Sequence, residues 1–366
     1  MRILVVNAGS STLKLRLLDG DEIAGQADLD VTPSDLAGGP GAERLGSAVS
    51  VMGPVDAVGH RVVHGGTRFT APTLIDDAVV AELRRLVDLA PLHQPAALAG
   101  ITEVRRLLPE TPAVACFDTA FHAGLPAAAA TYAIPAAWRE RYGLRRYGFH
   151  GLSHSYAATR AAHLLGRADL RLVVAHLGAG ASLAAVRAGA CLDTTMGFTP
   201  LEGLVMATRS GSVDPGLLLW LQASAGVGVD ELADALEHRS GLAALAGTGD
   251  MRRVLADADR GEPDAALAID VYVHRLRGAI AAMAAALGGI DAIAFTGGVG
   301  ERAAPIRDMV ARGLGFLGMH VDADANRDAV PDADISGPDA AVRTLVIAAR
   351  EDLQIAAGVR QALTGR

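Results

Sequence analysis

The 366 residues predict an α/β protein of two domains, the second repeating the plan of the first. Three observations predict it. The chain is too long for one ordinary core, because single cores stop growing at roughly 250–300 residues. Apolar strands alternate with helical stretches along most of its length, the pattern of layered α/β structure. Each half also opens on a strand, a turn of Gly, Ala and Ser, and a second strand, as a duplicated architecture would.

The first such unit is Ile3-Leu4-Val5-Val6-Asn7, then the small residues Ala8-Gly9-Ser10-Ser11-Thr12, then Leu13-Lys14-Leu15-Arg16-Leu17 with period two. Residues 20–55 are rich in Gly, Asp, Pro and Ala and read as loops or weakly structured connections, as do 322–340. A strand over 57–63 runs into His64-Gly65-Gly66. The second hairpin is Leu172-Val173-Val174-Ala175-His176-Leu177, the turn Gly178-Ala179-Gly180-Ala181, and Ser182-Leu183-Ala184-Ala185-Val186. A further strand over 291–295 enters Thr296-Gly297-Gly298-Val299-Gly300-Glu301, followed by helical spacing at Ile306, Met309, Val310 and Leu314. Between these elements, helices are predicted around 77–90, 96–108, 155–165, 215–223, 230–238 and 263–287. The Ala-rich run 278–290 reads as a buried helix, too short to span a bilayer.

Hydrophobic residues at 51% and charged residues at 20% exclude global disorder. A net charge of −8 argues against nucleic acid as the main partner, since neutralising phosphates needs a basic surface. It allows a small anionic ligand, which needs only a local cluster of arginines and backbone N–H groups. Cys116 and Cys191 lack a CxxC spacing and read as thiols in a reducing compartment. The apolar N-terminus begins a strand and not a signal peptide, so a cytoplasmic protein is expected. Of 33 basic residues Lys14 is the only lysine, a compact ammonium kept where arginine serves everywhere else.

No GxxxxGK[ST] motif is present, which excludes a P-loop enzyme. Glycine turns at 8–12, 178–181 and 297–300 each end a strand instead, where backbone N–H groups approach an anion closely; the third also leads into a helix N-terminus. Together, one of them beside the only lysine, they favour a phosphate ligand.

Longer strings carry a more specific signal. Asn7-Ala8-Gly9-Ser10-Ser11, Gly59-His60-Arg61-Val62-Val63-His64-Gly65-Gly66, Ala90-Pro91-Leu92-His93 and Phe117-Asp118-Thr119-Ala120-Phe121-His122 resemble the acetate kinase (acetokinase) family. So do Arg145-Arg146-Tyr147-Gly148-Phe149-His150-Gly151, Met196-Gly197-Phe198-Thr199-Pro200-Leu201-Glu202-Gly203, Thr208-Arg209-Ser210-Gly211 and the 295–301 turn, in the family's order. The resemblance implies two duplicated actin- and sugar-kinase-like (ribonuclease H-like) domains with an interdomain cleft. One would span 1–120 with 352–366; the other, 121–351, would bind nucleotide and dimerise. It implies reversible, ATP-dependent phosphorylation of acetate to acetyl phosphate by direct in-line transfer, with Mg²⁺ or Mn²⁺ as cofactor, in a homodimer.

Residue by residue, the resemblance makes Arg61, Asp118, His150 and Arg209 catalytic and gives acetate a pocket of Arg61, Val63, Leu92, Phe149 and Pro200. It gives the nucleotide Lys14, His176, Gly178, Gly180, Asp250, Met251, Arg252, Gly297, Gly298 and Gly300, and the metal Asn7 and Glu351. His93 matches another cleft histidine. Planar arginine forks suit carboxylate and phosphate oxygens alike. Each residue also has an ordinary reading: surface ion pairs for the arginines, a turn or helix cap for Asp118, a helix start for Glu351, core for the apolar four. His60, His64, His122 and His154 read as hydrogen-bonded structural histidines.

Several positions depart from the family pattern. Ala179 replaces an Asn, Arg350-Glu351-Asp352 replaces Asn-Glu-Glu, and Arg302 replaces an Asn. Gln94, Thr12, Leu152 and Ser212 stand where Asn, Ser, Thr and Asp are usual, and the chain is short between 20 and 55. Losing one preorganised donor costs ~10²–10³ in rate. Besides acetate kinase proper, the departures therefore leave open a related short-chain carboxylate kinase (for propionate, or using another donor such as pyrophosphate) and a weakly active or non-catalytic nucleotide-binding homologue.

Overall fold

A computed structural model describes the chain apart from residues 10–11, 37–38, 92 and 366. It divides into two compact units. The first comprises Met1–Ala123, Phe149–Tyr156 and Arg350–Arg366; the second comprises Gly124–Gly148 and Ala157–Ala349.

The first unit is built on a six-stranded sheet in the order β3-β2-β1-β4-β6-β5. Its strands are β1 (Arg2–Ala8), β2 (Thr12–Asp19), β3 (Glu22–Asp30), β4 (Ala57–Val62), β5 (Thr73–Leu74) and β6 (Ala113–Phe117). β1, β2 and β3 form an antiparallel meander, β1, β4 and β6 are parallel, and β5 returns antiparallel on the edge. Period-two alternation sends the two faces to two cores. Leu4, Val6, Leu13, Leu15 and Leu17 meet Leu45, Val49, Val79, Leu83, Ile101 and Val104 of the helices Pro40–Met52, Asp77–Arg85 and Gln94–Leu107. Ile3, Val5, Val114 and Cys116 meet Leu152 and the C-terminal helix Glu351–Thr364 through Ile355, Ala356 and Val359. Gly59 is required here, since a Cβ on β4 would sit 2.5 Å from Ile355 and 2.8 Å from Val359.

The second unit repeats the plan. Its sheet runs β9-β8-β7-β10-β12-β11, from β7 (Arg171–Leu177), β8 (Ala181–Arg187), β9 (Ala190–Thr194), β10 (Ala292–Thr296), β11 (Ala333–Asp334) and β12 (Arg343–Val346). Again a three-stranded meander adjoins three parallel strands, with an antiparallel edge strand last. The duplication read from the two hairpins is the real architecture.

Two expectations fail. Residues 20–55 are not loop: they hold β3 and the helix Pro40–Met52. The helix forms despite its Gly and Ser because Leu45 and Val49 fill the sheet core, and packing overrides propensity. Residues 322–340 likewise hold the short helix Ala323–Arg327 and β11. The 278–290 run is the end of the helix Pro263–Ala286, which buries Ile280, Met283 and Ala284 while other small residues stay exposed. It is amphipathic, not wholly buried.

Candidate active site

In the first unit, Arg61 projects from β4 and Asp118 follows β6, and the two strands are parallel neighbours. Asp118 is 1% exposed. Arg61 donates Nε to both carboxylate oxygens at 3.2 Å and Nη2 to Oδ2 at 2.7 Å. Nη1 donates to Asn7 Oδ1 at 3.2 Å and lies 3.8 Å from Glu351 Oε2. Asn7 Nδ2 closes the cluster on Glu351 Oε2 at 3.1 Å. Glu351 does open the C-terminal helix, where an acid suits the dipole, and it also faces Asn7 at the end of β1.

Burial opposes the charge on Arg61, but Asp118 and Glu351 outweigh it and raise its pKa. Burial pushes the Asp118 carboxyl above the usual range; Arg61 pulls it back and Glu351 adds to the rise. Oxygens of an Asn amide and two carboxylates are hard donors of the kind Mg²⁺ takes. Among the described residues no three His, Cys, Asp or Glu gather around a cation site. A cation here would therefore draw most of its ligands from a substrate and water, as Mg²⁺ does with phosphates.

His150 lies at a strained turn of the same unit. Its φ is +56°, a left-handed conformation that costs a non-glycine residue ~1–3 kcal/mol and collects at functional sites. The turn is tied to the arginine cluster, because Gly151 N donates to Asp118 O at 2.9 Å. In the same unit His60, His64 and His122 are buried and held neutral by burial, at about 3, 4 and 4. His122 Nε2 meets Phe149 O at 2.9 Å, and the His64 ring packs edge-on against Phe149.

Val63 and Phe149 are buried in this unit, Pro200 belongs to the second, and Leu92 lies outside the described residues. Lys14 stays in the first unit as well. It is exposed on β2, opposite Asn7 on one side and Asp28 on the other. His93 precedes the helix Gln94–Leu107.

The second unit carries a cleft of about 340 Å³ whose walls include Gly178, Ala179, Asp250, Met251, Arg252, Gly298 and Arg302. The β7–β8 turn supplies Gly178, where a Cβ would meet Gly180 O at 3.2 Å and His176 Nε2 at 3.4 Å. Gly297 has φ +80°, and a Cβ there would press within 2.8 Å of Leu177 O. Gly300 is buried behind it, whereas Gly298 faces open space. Asp250 caps the helix Met251–Asp259 and pairs with Arg252 at 2.7 Å, which lowers its pKa.

Arg209 stands on the 206–211 strip, whose Ala207 N donates to Ala179 O. Its Nε donates to Glu237 Oε2 at 2.8 Å and Nη1 to Pro200 O at 3.5 Å.

The departures sort by environment. Gln94 is fully buried and clamps both backbone groups of His64, while Leu152 is core. Ser212 Oγ accepts from Gly203 N. Arg350 is consumed by Asp352, with Nε and Nη2 on its carboxylate at 2.9 Å, so the positive charge it adds beside Glu351 is locally paired. Ala179 and Arg302 alone line the cleft.

Two residues escaped the sequence. Arg307, 1% exposed, donates to the carbonyls of Gly300, Glu301 and Asn326 and to Asn326 Oδ1, pinning the glycine turn; burial brings its pKa down to about 10. Its position amid Ile306, Met309 and Val310 gave no sign of this. Glu237 was hidden in an ordinary amphipathic helix.

Residues 47–357 match the model of the acetokinase family. An acetate kinase of Streptomyces griseus subsp. griseus is 45% identical over 97% of this chain and 94% of its own length. The crystal structure of Porphyromonas gingivalis acetate kinase superposes with a TM-score of 0.91 at 33% identity, covering 99% of both chains. A propionate kinase from Francisella tularensis subsp. tularensis SCHU S4 gives 0.89 at 35%, over 98% of this chain and 99% of its own. With these likenesses spanning both units, the chain belongs to the acetokinase family.

Proposed function

We propose that the chain transfers the γ-phosphoryl group of ATP to acetate, reversibly, giving acetyl phosphate and ADP. The observation that carries the reading is the convergence of Asn7, Arg61, Asp118 and Glu351, from four distant segments, into one hydrogen-bonded cluster. A structural ion pair needs only Arg61 and Asp118. The two added oxygen donors are surplus to it and suit a cation that accompanies phosphate.

Arg61 then binds the acetate carboxylate and Arg209 the phosphoryl oxygens, with His150 sharing that charge. Asp118 holds the Arg61 fork in its plane. Asn7 and Glu351 would hold Mg²⁺, which neutralises phosphate charge when bound. Gly178, Gly180, Gly297, Gly298 and Gly300 present the phosphate turns, and Asp250, Met251 and Arg252 border the nucleoside, beside His176. Lys14, opposite Asn7, adds positive charge near the metal side. The carboxylate oxygen forms its bond to phosphorus as the bond to ADP breaks, ADP leaving with the electron pair. Positioning and charge neutralisation supply the rate, without a covalent enzyme intermediate.

By resemblance to the family, Val63, Phe149, Pro200 and Leu92 are the residues that would meet the methyl group. One methylene is worth only ~1–3 kcal/mol there, so propionate is a secondary substrate; likeness to a propionate kinase supports that.

The first unit serves as the N-terminal acetokinase domain closed by the C-terminal helix, and the second as the nucleotide-binding and dimerisation domain. A homodimer is supported by the helix Pro215–Ala223, which buries no residue and exposes Leu217, Leu219 and Trp220. A cytoplasmic location is supported by the buried thiols of Cys116 and Cys191. Among the described residues no helix is long and apolar enough to cross a membrane.

A hydroxamate assay pairing acetate, propionate and butyrate with ATP, GTP or pyrophosphate tests the proposal. Acetate with ATP is expected to give the highest kcat/KM. A preference for pyrophosphate, for a longer acid, or no turnover at all would overturn it.

A further inference from the structure

Arg209 lies on an irregular strip with no strand or helix of its own, yet its side chain is only 17% exposed. The end of the helix Val229–His238 holds it. Ser210 N donates to Leu236 O at 3.1 Å, Thr208 Oγ1 to Glu237 O at 2.9 Å and Ser240 N to Thr208 O at 2.9 Å. Glu237 Oε2 then takes Arg209 Nε at 2.8 Å.

Glu237 is in the wrong place for its helix. It lies in the last turn, where the free carbonyls repel an acid and a cation is preferred. The other acids of this helix obey the rule or find a local partner: Asp230 and Glu231 are in the first turn, and Asp234 pairs with Arg239. Glu237 therefore has its reason in Arg209.

The geometry of the fork shows what that pairing does. A guanidinium has five N–H groups. Glu237 takes Nε and Pro200 O takes one of Nη1, which leaves three, including both of Nη2, for a ligand. Seizing the fork by its Nε side fixes the plane and presents the outer edge. Arg61 is held differently, by Nε and Nη2 together on Asp118 and by Nη1 on Asn7, so less of its fork is spare. Of the two arginines, Arg209 keeps more of its fork for a phosphoryl group.

We propose that Glu237 is a positioning residue for phosphoryl transfer, acting only through Arg209. This rests on Arg209 acting on the phosphoryl group. A double-mutant cycle tests it, with acetate kinase turnover, ATP KM and thermal melts read for Glu237→Ala, Glu237→Gln, Arg209→Ala and the double variant. Glu237→Ala is expected to lower kcat on the order of 10–10²-fold with ATP KM within about twofold. Glu237→Gln keeps an acceptor for Nε without the charge, and should fall between wild type and Glu237→Ala. In the Arg209→Ala background, Glu237→Ala should cost nothing more.

If the two losses multiply, or if Glu237→Ala merely lowers the melting temperature, Glu237 is structural and the proposal fails. If Arg209→Ala is crippled while both Glu237 variants run normally, the proposal fails and Arg209 keeps its role. If Arg209→Ala itself runs at the wild-type rate, the assignment of Arg209 falls, and Glu237 with it. Should Glu237→Ala not fold, Glu237→Gln, alone and with Arg209→Ala, decides.

Discussion

Replacing Asp118 by Asn changes one oxygen to an amide and tests whether the Arg61 cluster is a working device. Asp118 is 2% exposed at its side chain and Arg61 17%. The substitution removes the carboxylate that accepts two N–H groups of Arg61 through three contacts, and turns an NH₂ toward one of them. Breaking a buried pair by removing one partner costs ~3–5 kcal/mol. Two features lower that figure here. Glu351 remains 3.8 Å from Nη1, and one amide oxygen still accepts. The expected loss is therefore about 3 kcal/mol, the low end of that range. For a domain near 150 residues this means a melting temperature lower by roughly 6–12 °C. The loss of turnover should be larger than the loss of fold. Once the fork is no longer held in its plane, misplacement of about 1 Å costs on the order of 10²-fold. Circular-dichroism melts and the hydroxamate assay at pH 7 measure both. An Asp118→Asn protein that melts within 1–2 °C of wild type (under ~1 kcal/mol) and turns over normally would show that Asp118 neither holds nor aims Arg61.

Gly151→Ala should damage the same site from the backbone, because the new Cβ would lie 2.1 Å from Asp118 O and 2.9 Å from Phe121 Cβ. About 3 kcal/mol of stability should go with it, visible in a melt, and an unaltered melting temperature would contradict the packing. The first unit should also be acid-sensitive through His60, His64 and His122, which stay neutral down to about 3, 4 and 4. Below pH ~6.5 the unfolded chain takes up protons that the folded unit refuses, so each histidine withdraws up to ~1.4 kcal/mol per pH unit as pH falls toward 4. Lowering pH from 6.5 to 5 thus costs up to about 2 kcal/mol per histidine, and melts across that window that do not move would refute neutral burial. Ala179→Asn restores an amide on the wall of the cleft and should raise kcat, by up to ~10²-fold. An unchanged or lower rate would mean that the cleft is rebuilt around alanine.

Much of the fold was legible because its signals are local. β1 and β2 announce themselves by Leu4 and Val6, then Leu13, Leu15 and Leu17, all on one face. The predicted helix at 215–223 coincides with Pro215–Ala223 because Pro at its start and the Asp214 cap mark its end. β3 was missed because an edge strand, paired only with β2, has one partner and a mostly polar, half-exposed sequence. The site divides in the same way. Its residues were nameable from strings resembling a family, but spacing alone would not have joined Asn7 to Glu351 across 344 positions. Glu237 and Arg307 carried no motif, and their meaning lies wholly in what they touch.

By itself the sequence determined the family, the duplicated strand–turn–strand plan and the residue types available for chemistry, since these depend on short-range pattern and side-chain identity. Only the tertiary structure decided which charges are spent and which are free. It set Arg350 against Asp352 and left Arg302 on the wall of the cleft. It gave Arg61 to Asp118 and turned the outer edge of Arg209 loose. The physical reason is that a guanidinium or carboxylate acquires its role from partners within about 3 Å and from its burial, and chain folding sets both without regard to distance along the sequence.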